Sequence, residues 1–74
     1  MKIELVFCAH VNGFKYYDVH CVIDGKDFTI VPAMYYTNDC CWYVKLPDRP
    51  LFVSAYYCDL IDYLSNIIRE LFKL

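Results

Sequence analysis

The sequence predicts an α+β fold, in which a four-stranded antiparallel meander is followed by one C-terminal amphipathic helix packed on one sheet face (ββββα). The dipeptides Asn12-Gly13 and Asp24-Gly25 each lie between runs rich in Val, Ile, Phe and Tyr, which is the strongest short-range signal for a β-hairpin. From about Ser54 to Leu74 the apolar period changes from two residues to 3.6, as in a helix that covers a core. We therefore expect a single domain over residues 1–74.

Turn residues bound the predicted strands. The strands cover Lys2 to Val11, Lys15 to Ile23, Lys26 to about Tyr36 and Cys40 to Leu46, with Thr37-Asn38-Asp39 as the third turn. Pro32 has no amide hydrogen to donate, so we expect the far end of the third strand to bend or to leave the sheet. Pro47-Asp48-Arg49-Pro50 is a stiff polar connection to the helix, and no linker to a second domain is evident.

The register of the first hairpin depends on the length of its loop. A three-residue loop Asn12-Gly13-Phe14, or an equivalent bulge, pairs Phe7 with Val19 and keeps apolar side chains together, whereas a two-residue loop pairs Phe7 with Asp18. We prefer the first arrangement, followed by a two-residue Asp24-Gly25 turn. One face then carries Ile3, Leu5, Phe7, Ala9, Tyr17, Val19, Cys21, Ile23, Phe28 and Ile30, and the other carries Glu4, Val6, Cys8, His10, Tyr16, Asp18, His20, Val22, Asp27, Thr29 and Val31.

The predicted helix has one apolar side and one polar side. Its apolar residues recur at three- and four-residue steps, which is typical of a helix that faces a core; they are Tyr57, Leu60, Ile61, Leu64, Ile67, Ile68, Leu71 and Phe72. We expect all of these from Leu60 to Leu71 to close the core. Ser54 and Asp59 are candidates for capping the start of the helix.

Charge and cysteine usage narrow the class of protein. Seven Lys and Arg against nine Asp and Glu give a net charge of -2, and the cations are scattered, so nucleic-acid binding is disfavoured. No apolar run approaches the roughly 20 residues needed to span a bilayer. Five cysteines without a signal peptide, since Glu4 interrupts the first apolar segment, indicate a reduced, cytoplasmic protein, in the host cell if the chain is phage-encoded.

One group of side chains on the predicted polar face has the chemistry of a metal site. The proposed register places Cys8 opposite Asp18, with His10 and His20 close by, and these are zinc-ligand types. Their spacing matches no zinc signature, so we expect structural roles and no cofactor. The same thiol and imidazole on a flat sheet lack the pocket that nucleophilic catalysis needs, and we therefore expect no enzyme activity.

Aromatic residues are the most unusual part of the composition, at 19% of the chain. They include the pairs Tyr16-Tyr17, Tyr35-Tyr36, Trp42-Tyr43 and Tyr56-Tyr57. In a strand each pair sends one ring to the core and one outward, and outward aromatic residues are enriched at protein interfaces. We predict that Tyr16, Tyr36, Asp39 and Tyr43 form a partner-binding site.

These features favour a small non-enzymatic protein-binding module whose partner has a basic surface. In style, by analogy only, such a chain resembles phage- or plasmid-encoded inhibitors of host defence proteins, including anti-CRISPR proteins. One alternative is a structural homo-oligomer, such as a homodimer, that buries its aromatic sheet face. Another is a small zinc- or nucleic-acid-binding module, because sheets with exposed rings also serve as stacking platforms.

Overall fold

A computed structural model describes residues 1–73 and, for Val31, the backbone only. The chain forms one antiparallel sheet in the order β1-β2-β3-β4-β5, followed by a helix that packs against it. The elements are β1 (Lys2–Val11), β2 (Phe14–Ile23), β3 (Lys26–Tyr36), β4 (Cys41–Val44), β5 (Phe52–Ser54) and α1 (Tyr57–Phe72). The predicted α+β class and the C-terminal helix are confirmed.

The predicted count of four strands is wrong, because β5 adds a fifth. This strand has three residues, which is too short to show an alternating pattern, and it pairs with β4 from Phe52, two residues after Pro50. Strand β4 is also shorter than predicted, since Cys40 takes a left-handed conformation with φ 56° and so belongs to the turn. The predicted end of the helix at Leu74 and the facing of the Val31 side chain lie outside the described residues.

Both Gly-containing hairpins close with two-residue turns. Positive φ values at Asn12 and Gly13 (51° and 83°) and at Asp24 and Gly25 (52° and 77°) are those of type I′ turns, whose twist matches that of the flanking strands. The two-residue Asp24-Gly25 turn was predicted correctly. Of the two arrangements preferred for the first hairpin, a three-residue loop or an equivalent bulge, the loop is wrong.

A β-bulge at Cys8 supplies the extra residue in the first hairpin instead of the loop. Phe7 pairs with Tyr17 and Ala9 pairs with Tyr16, so Cys8 has no opposite residue. Before the bulge the predicted faces hold, although each pairing is shifted by two residues. Beyond the bulge the alternation is reversed. Ala9 therefore lies on the opposite face from the one predicted, and so does His10.

A second bulge lies in β3 beside Pro32. The pair between Asp18 and Pro32 is followed by one between His20 and Thr29, so β3 has one more residue than β2 between them. A bulge next to a proline is expected, because proline cannot donate to the ladder. Of the two outcomes expected at Pro32, a bend or a departure from the sheet, the bulge corresponds to the bend. The far end of β3 does not leave the sheet, since it pairs with β2 and β4 as far as Tyr36.

The core lies between α1 and one face of the sheet, which we call the covered face. Its buried residues come from the middle strands, the loop after β4 and the inner side of the helix, and they are Val19, Ala33, Val44, Leu46, Leu60, Leu64 and Ile67. Ile68 is also buried. Leu71 was predicted to belong to the core but is 58% exposed, because it lies at the rim of a groove beside Ile30 and Leu46.

The start of the helix is held by side chains that precede it. Ser54 Oγ accepts a hydrogen bond from the Tyr56 N–H at 3.1 Å and donates one to Asp59 Oδ2 at 3.1 Å. The N-cap residue is Tyr56, which makes no side-chain capping bond, so Ser54 and Asp59 fix the approach to the helix and do not cap it. In residues 1–73, no helix is long and apolar enough to cross a membrane.

Candidate protein-interaction surface

The helix covers one face of the sheet. The other, which we call the open face, has no element packed on it within residues 1–73. The strand pairings divide this face into two ends. Its polar end carries Lys2, Glu4, Asp18, His20, Asp27 and Thr29, together with Val6 and Val22. Its aromatic end carries Ala9, Val11, Phe14, Tyr16, Met34, Tyr36, Tyr43 and Val53. The structure therefore brings three of the predicted site residues together, namely Tyr16, Tyr36 and Tyr43.

Phe14 is the centre of the aromatic end. Its ring is stacked on Tyr36, with centroids 4.3 Å apart and planes 21° apart, and it meets Tyr43 edge-on at 6.3 Å and Tyr16 at 6.3 Å. Such arrangements stabilise a cluster beyond the effect of burial alone. Sequence reasoning missed Phe14 because that residue was assigned to the loop. A two-residue type I′ turn at Asn12-Gly13 would instead have predicted that β2 begins at Phe14.

Hydrogen bonds between two turns hold the aromatic end in place. The Thr37 N–H and the Thr37 Oγ1 hydroxyl both donate to the Gly13 carbonyl at 3.0 Å, which joins the β1–β2 turn to the β3–β4 turn. Tyr36 lies against Gly13 so closely that a Cβ there would be 3.2 Å from Tyr36 Cε1. The Tyr36 hydroxyl accepts a bond from Asn38 Nδ2 at 2.8 Å. The rings thus stand on a cross-linked pair of turns.

Asp39 lies in the β3–β4 turn, at the edge of the aromatic end. Its Oδ1 accepts the Cys41 N–H at 3.1 Å, and its Oδ2 accepts the Tyr43 hydroxyl. The bond to this carboxylate, followed by desolvation, raises the pKa of Tyr43 to about 12. The residue remains exposed, and a carboxylate has about four lone-pair sites, so each oxygen can accept a further bond from outside.

The charges of the open face are mostly negative. Glu4, Asp18 and Asp27 lie on it and Asp39 lies at its edge, whereas of the three lysines in the strands only Lys2 shares this face, at the polar end. Lys15 lies on the covered face, where it pairs with His10. The aromatic end is therefore bordered by the carboxylates of Asp18 and Asp39, and among the strand residues whose side chains the structure describes no lysine lies between its rings.

The predicted cysteine, histidine and aspartate group is not assembled. Cys8 lies beside Asp18, and desolvation together with that neighbour raises the pKa of the thiol. His10 is on the covered face, and His20 pairs with Glu4 and Thr29. In the described part of the chain, no three His, Cys, Asp or Glu side chains are placed to hold a metal ion.

A second row of rings runs along the covered face beyond the start of the helix. Tyr17, Tyr35 and Tyr57 each contact Trp42 at centroid distances of 4.9 to 5.9 Å, and Phe7 meets Tyr17 at 5.6 Å. The aromatic pairs in the strands therefore divide between the two faces, as their spacing indicates. Phe7 and Tyr57 at the ends of this row are each about half exposed, whereas Trp42 packs against the core.

Comparison of the chain with known protein families, with curated proteins and with solved structures finds no match. The open face itself is therefore the basis for inferring a function.

Proposed function

We propose that this protein is a non-enzymatic binding module that docks the aromatic end of its open face on a basic surface of a partner protein. The form of this function that we favour is a stoichiometric inhibitor, of the style that phages and plasmids encode against host defence proteins. The observation that carries the proposal is a cluster of four rings on a sheet face that no other described element covers; the rings are those of Phe14, Tyr16, Tyr36 and Tyr43.

The shape and chemistry of the cluster suit a protein interface. Large amphipathic rings dominate the binding energy of protein interfaces, and they do so best when the free protein already holds them in place. Here the bonds of Thr37 to Gly13 and of Tyr43 to Asp39 fix the rings before a partner arrives. The carboxylates around them favour a cationic partner, because complementary charge speeds association and excludes other surfaces.

Chemistry at the thiols fits the proposal less well. A catalytic cysteine needs a lowered pKa, whereas desolvation raises the pKa of Cys8, Cys21 and Cys41. Self-association through the open face is the second candidate, since the aromatic end is contiguous and apolar. It is disfavoured because two copies facing each other would bring carboxylates such as Asp18 and Asp39 towards like charges.

A matched pair of substitutions tests the proposal. Tyr16→Lys places a positive charge in the aromatic end, and Tyr57→Lys makes the same change at a half-exposed ring on the covered face. The tagged proteins are used to capture partners from a lysate of the encoding organism, and the affinity for each captured protein is then measured with purified components.

We expect Tyr16→Lys to weaken binding at least about tenfold, as loss of an interface anchor does, and Tyr57→Lys to have little effect. Equal binding by wild type and Tyr16→Lys would contradict the proposal. Sedimentation velocity at micromolar concentration tests self-association. A stable dimer that the Tyr16→Lys substitution dissociates would show that the partner at this surface is a second copy of the chain.

A further inference from the structure

We propose that the partner group bound by Asp39, beside the ring of Tyr43, is the guanidinium of an arginine, and that this corner of the open face prefers arginine to lysine. The inference rests on the proposed function, because it names the chemistry of the partner at the same surface. Three features of the corner support it: the held carboxylate, the neighbouring ring faces and the absence of a strand lysine that would compete.

The carboxylate of Asp39 is prepared for a planar donor. The Cys41 N–H and the Tyr43 hydroxyl each bind a different oxygen of Asp39, which fixes the plane of the carboxylate. Each oxygen keeps lone pairs for a second donor. Arginine presents two parallel N–H groups that match a carboxylate in bidentate fashion, whereas a lysine ammonium is a compact point charge that does not use this geometry.

The rings beside Asp39 offer the second contact. Tyr43 is bonded to Asp39, and Phe14 lies edge-on to Tyr43 and stacked on Tyr36. A guanidinium stacks on aromatic faces while its edge remains free for hydrogen bonds, and this combination is stronger for arginine than for lysine. An arginine bound at Asp39 would therefore reach Tyr43 and its neighbours with the same side chain.

The chain does not fill the corner with a strand cation of its own. Among the strand side chains that the structure describes, Lys2 is the one lysine on the open face, and it lies at the polar end. Arg49 is engaged elsewhere, in an ion pair with Glu70 of the helix, and Lys45 donates to the Arg49 carbonyl. The negative charge at Asp39 is thus left to be matched by a cation from outside.

Two peptides of equal charge test the preference. One has four arginines separated by glycine and serine, and the other has lysine at the same four positions. Calorimetry gives the affinity of each for the full chain, and the NMR signals of the tyrosine rings locate the site. Asp39→Asn removes the proposed carboxylate. Asp27→Asn is the matched control, since it removes the same charge from the polar end of the same face.

We expect the arginine peptide to bind at least about fivefold tighter than the lysine peptide, from its bidentate and stacking contacts, and to shift the signals of Tyr43 and Tyr36. Asp39→Asn should abolish that preference and Asp27→Asn should leave it intact. Equal affinities for the two peptides, or equal effects of the two substitutions, would overturn the inference.

The two proposals fail in different ways. If the peptides bind equally but Tyr16→Lys still loses the captured partner, the arginine preference is wrong and the binding function stands. If Tyr16→Lys binds the captured partner as tightly as the wild type does, both proposals are wrong. Tighter binding of a single-stranded oligonucleotide than of either peptide would also overturn the arginine proposal, and would indicate a stacking platform for nucleic acid.

Discussion

At the scale of single residues, Asp39 has a structural role. Its position in a turn predicts only an exposed carboxylate. Asp39 accepts hydrogen bonds from Cys41 and Tyr43 and so joins the turn to the first residues of β4. The bond to Tyr43 favours the neutral phenol, which is the form that donates. The presence of the Tyr43–Asp39 hydrogen bond can therefore be measured through the ionisation of Tyr43 alone.

Replacing Asp39 with Asn should lower the pKa of Tyr43 from about 12 towards the ordinary tyrosine value of about 10. The folded-state pKa is raised, so the stabilisation from this bond is fully present below about pH 10 and is lost as the pH rises through about 12. Ultraviolet absorbance of ionised tyrosine measures the titration, and Tyr43→Phe identifies its signal. An unchanged titration in Asp39→Asn would show that the bond is absent.

The two glycines provide a second test, because both have left-handed φ values and only Gly13 is crowded. An added Cβ at Gly13 is 3.2 Å from the Tyr36 ring, whereas none of the surrounding atoms lies within 4 Å of one at Gly25. Gly25→Ala should reduce the free energy of unfolding by about 1 to 2 kcal/mol through backbone strain alone. Gly13→Ala should reduce the free energy of unfolding by more than Gly25→Ala does, and it should shift the NMR signals of Tyr36. Equal losses would mean that Tyr36 does not pack on Gly13.

At the scale of elements, the helix has a shorter fully buried stretch than its apolar period indicates. The period continues to Leu71 and Phe72, but burial ends at Ile68. Phe72 instead packs on Phe28 at the margin of the sheet, with ring centroids 4.9 Å apart. Two leucines on the same helix therefore differ in their contribution to stability.

Leu64→Ala should destabilise the protein by about 2 to 5 kcal/mol, the range for a buried leucine, because Leu64 is 1% exposed. Leu71→Ala should change the free energy of unfolding by less than about 0.5 kcal/mol, as is usual at the surface. Urea denaturation measures both. Similar losses for the two variants would place Leu71 in the core, as the period alone predicts.

Most of the fold could be predicted at this scale from local chemistry. The strand bounds of β1 and β3 follow from the two turn dipeptides, and the helix follows from its period. A bulge was expected as one alternative in the first hairpin, but its place at Cys8 and the three-residue β5 could not be predicted, because each depends on the pairing with the neighbouring strand and leaves no local pattern. The faces of Ala9 and His10 were consequently assigned wrongly.

The candidate site could be predicted in part for the same reason. Alternation along a strand separates Tyr16 from Tyr17 and Tyr36 from Tyr35, whichever register applies, so the outward rings were identifiable. The place of Phe14 at the centre depends on the turn type. The bonds of Thr37 to Gly13 join residues 24 apart in the chain, and only the folded chain reveals them.

At the scale of the whole molecule, stability comes from one layer of sheet and one helix, without cross-links. All five cysteines are free thiols, and in residues 1–73 no buried side-chain nitrogen or oxygen lacks a hydrogen-bond partner. A domain of this size buries only about 60% of the surface of its unfolded chain and is marginal in stability. Single core substitutions should therefore have large effects.

We expect folding to be independent of metal, because Cys8 and Asp18 lie together but His10 is on the other face. Thermal unfolding should be unchanged by a chelator, and elemental analysis of protein purified without one should find no stoichiometric zinc. Zinc at one equivalent, with unfolding on its removal, would contradict this and favour a metal-binding module.

The unequal edges of the sheet limit how copies of this protein assemble. One edge is β1, with ten residues, and the other is β5, with three. Addition of β1 from one molecule to β5 of the next would give an open, head-to-tail fibre. In that arrangement only three residues of β1 could pair, because β5 is three residues long. Two β1 edges match over a greater length about a two-fold axis and leave only short edges. Pairing through the long β1 edges would therefore leave only three-residue edges for further growth.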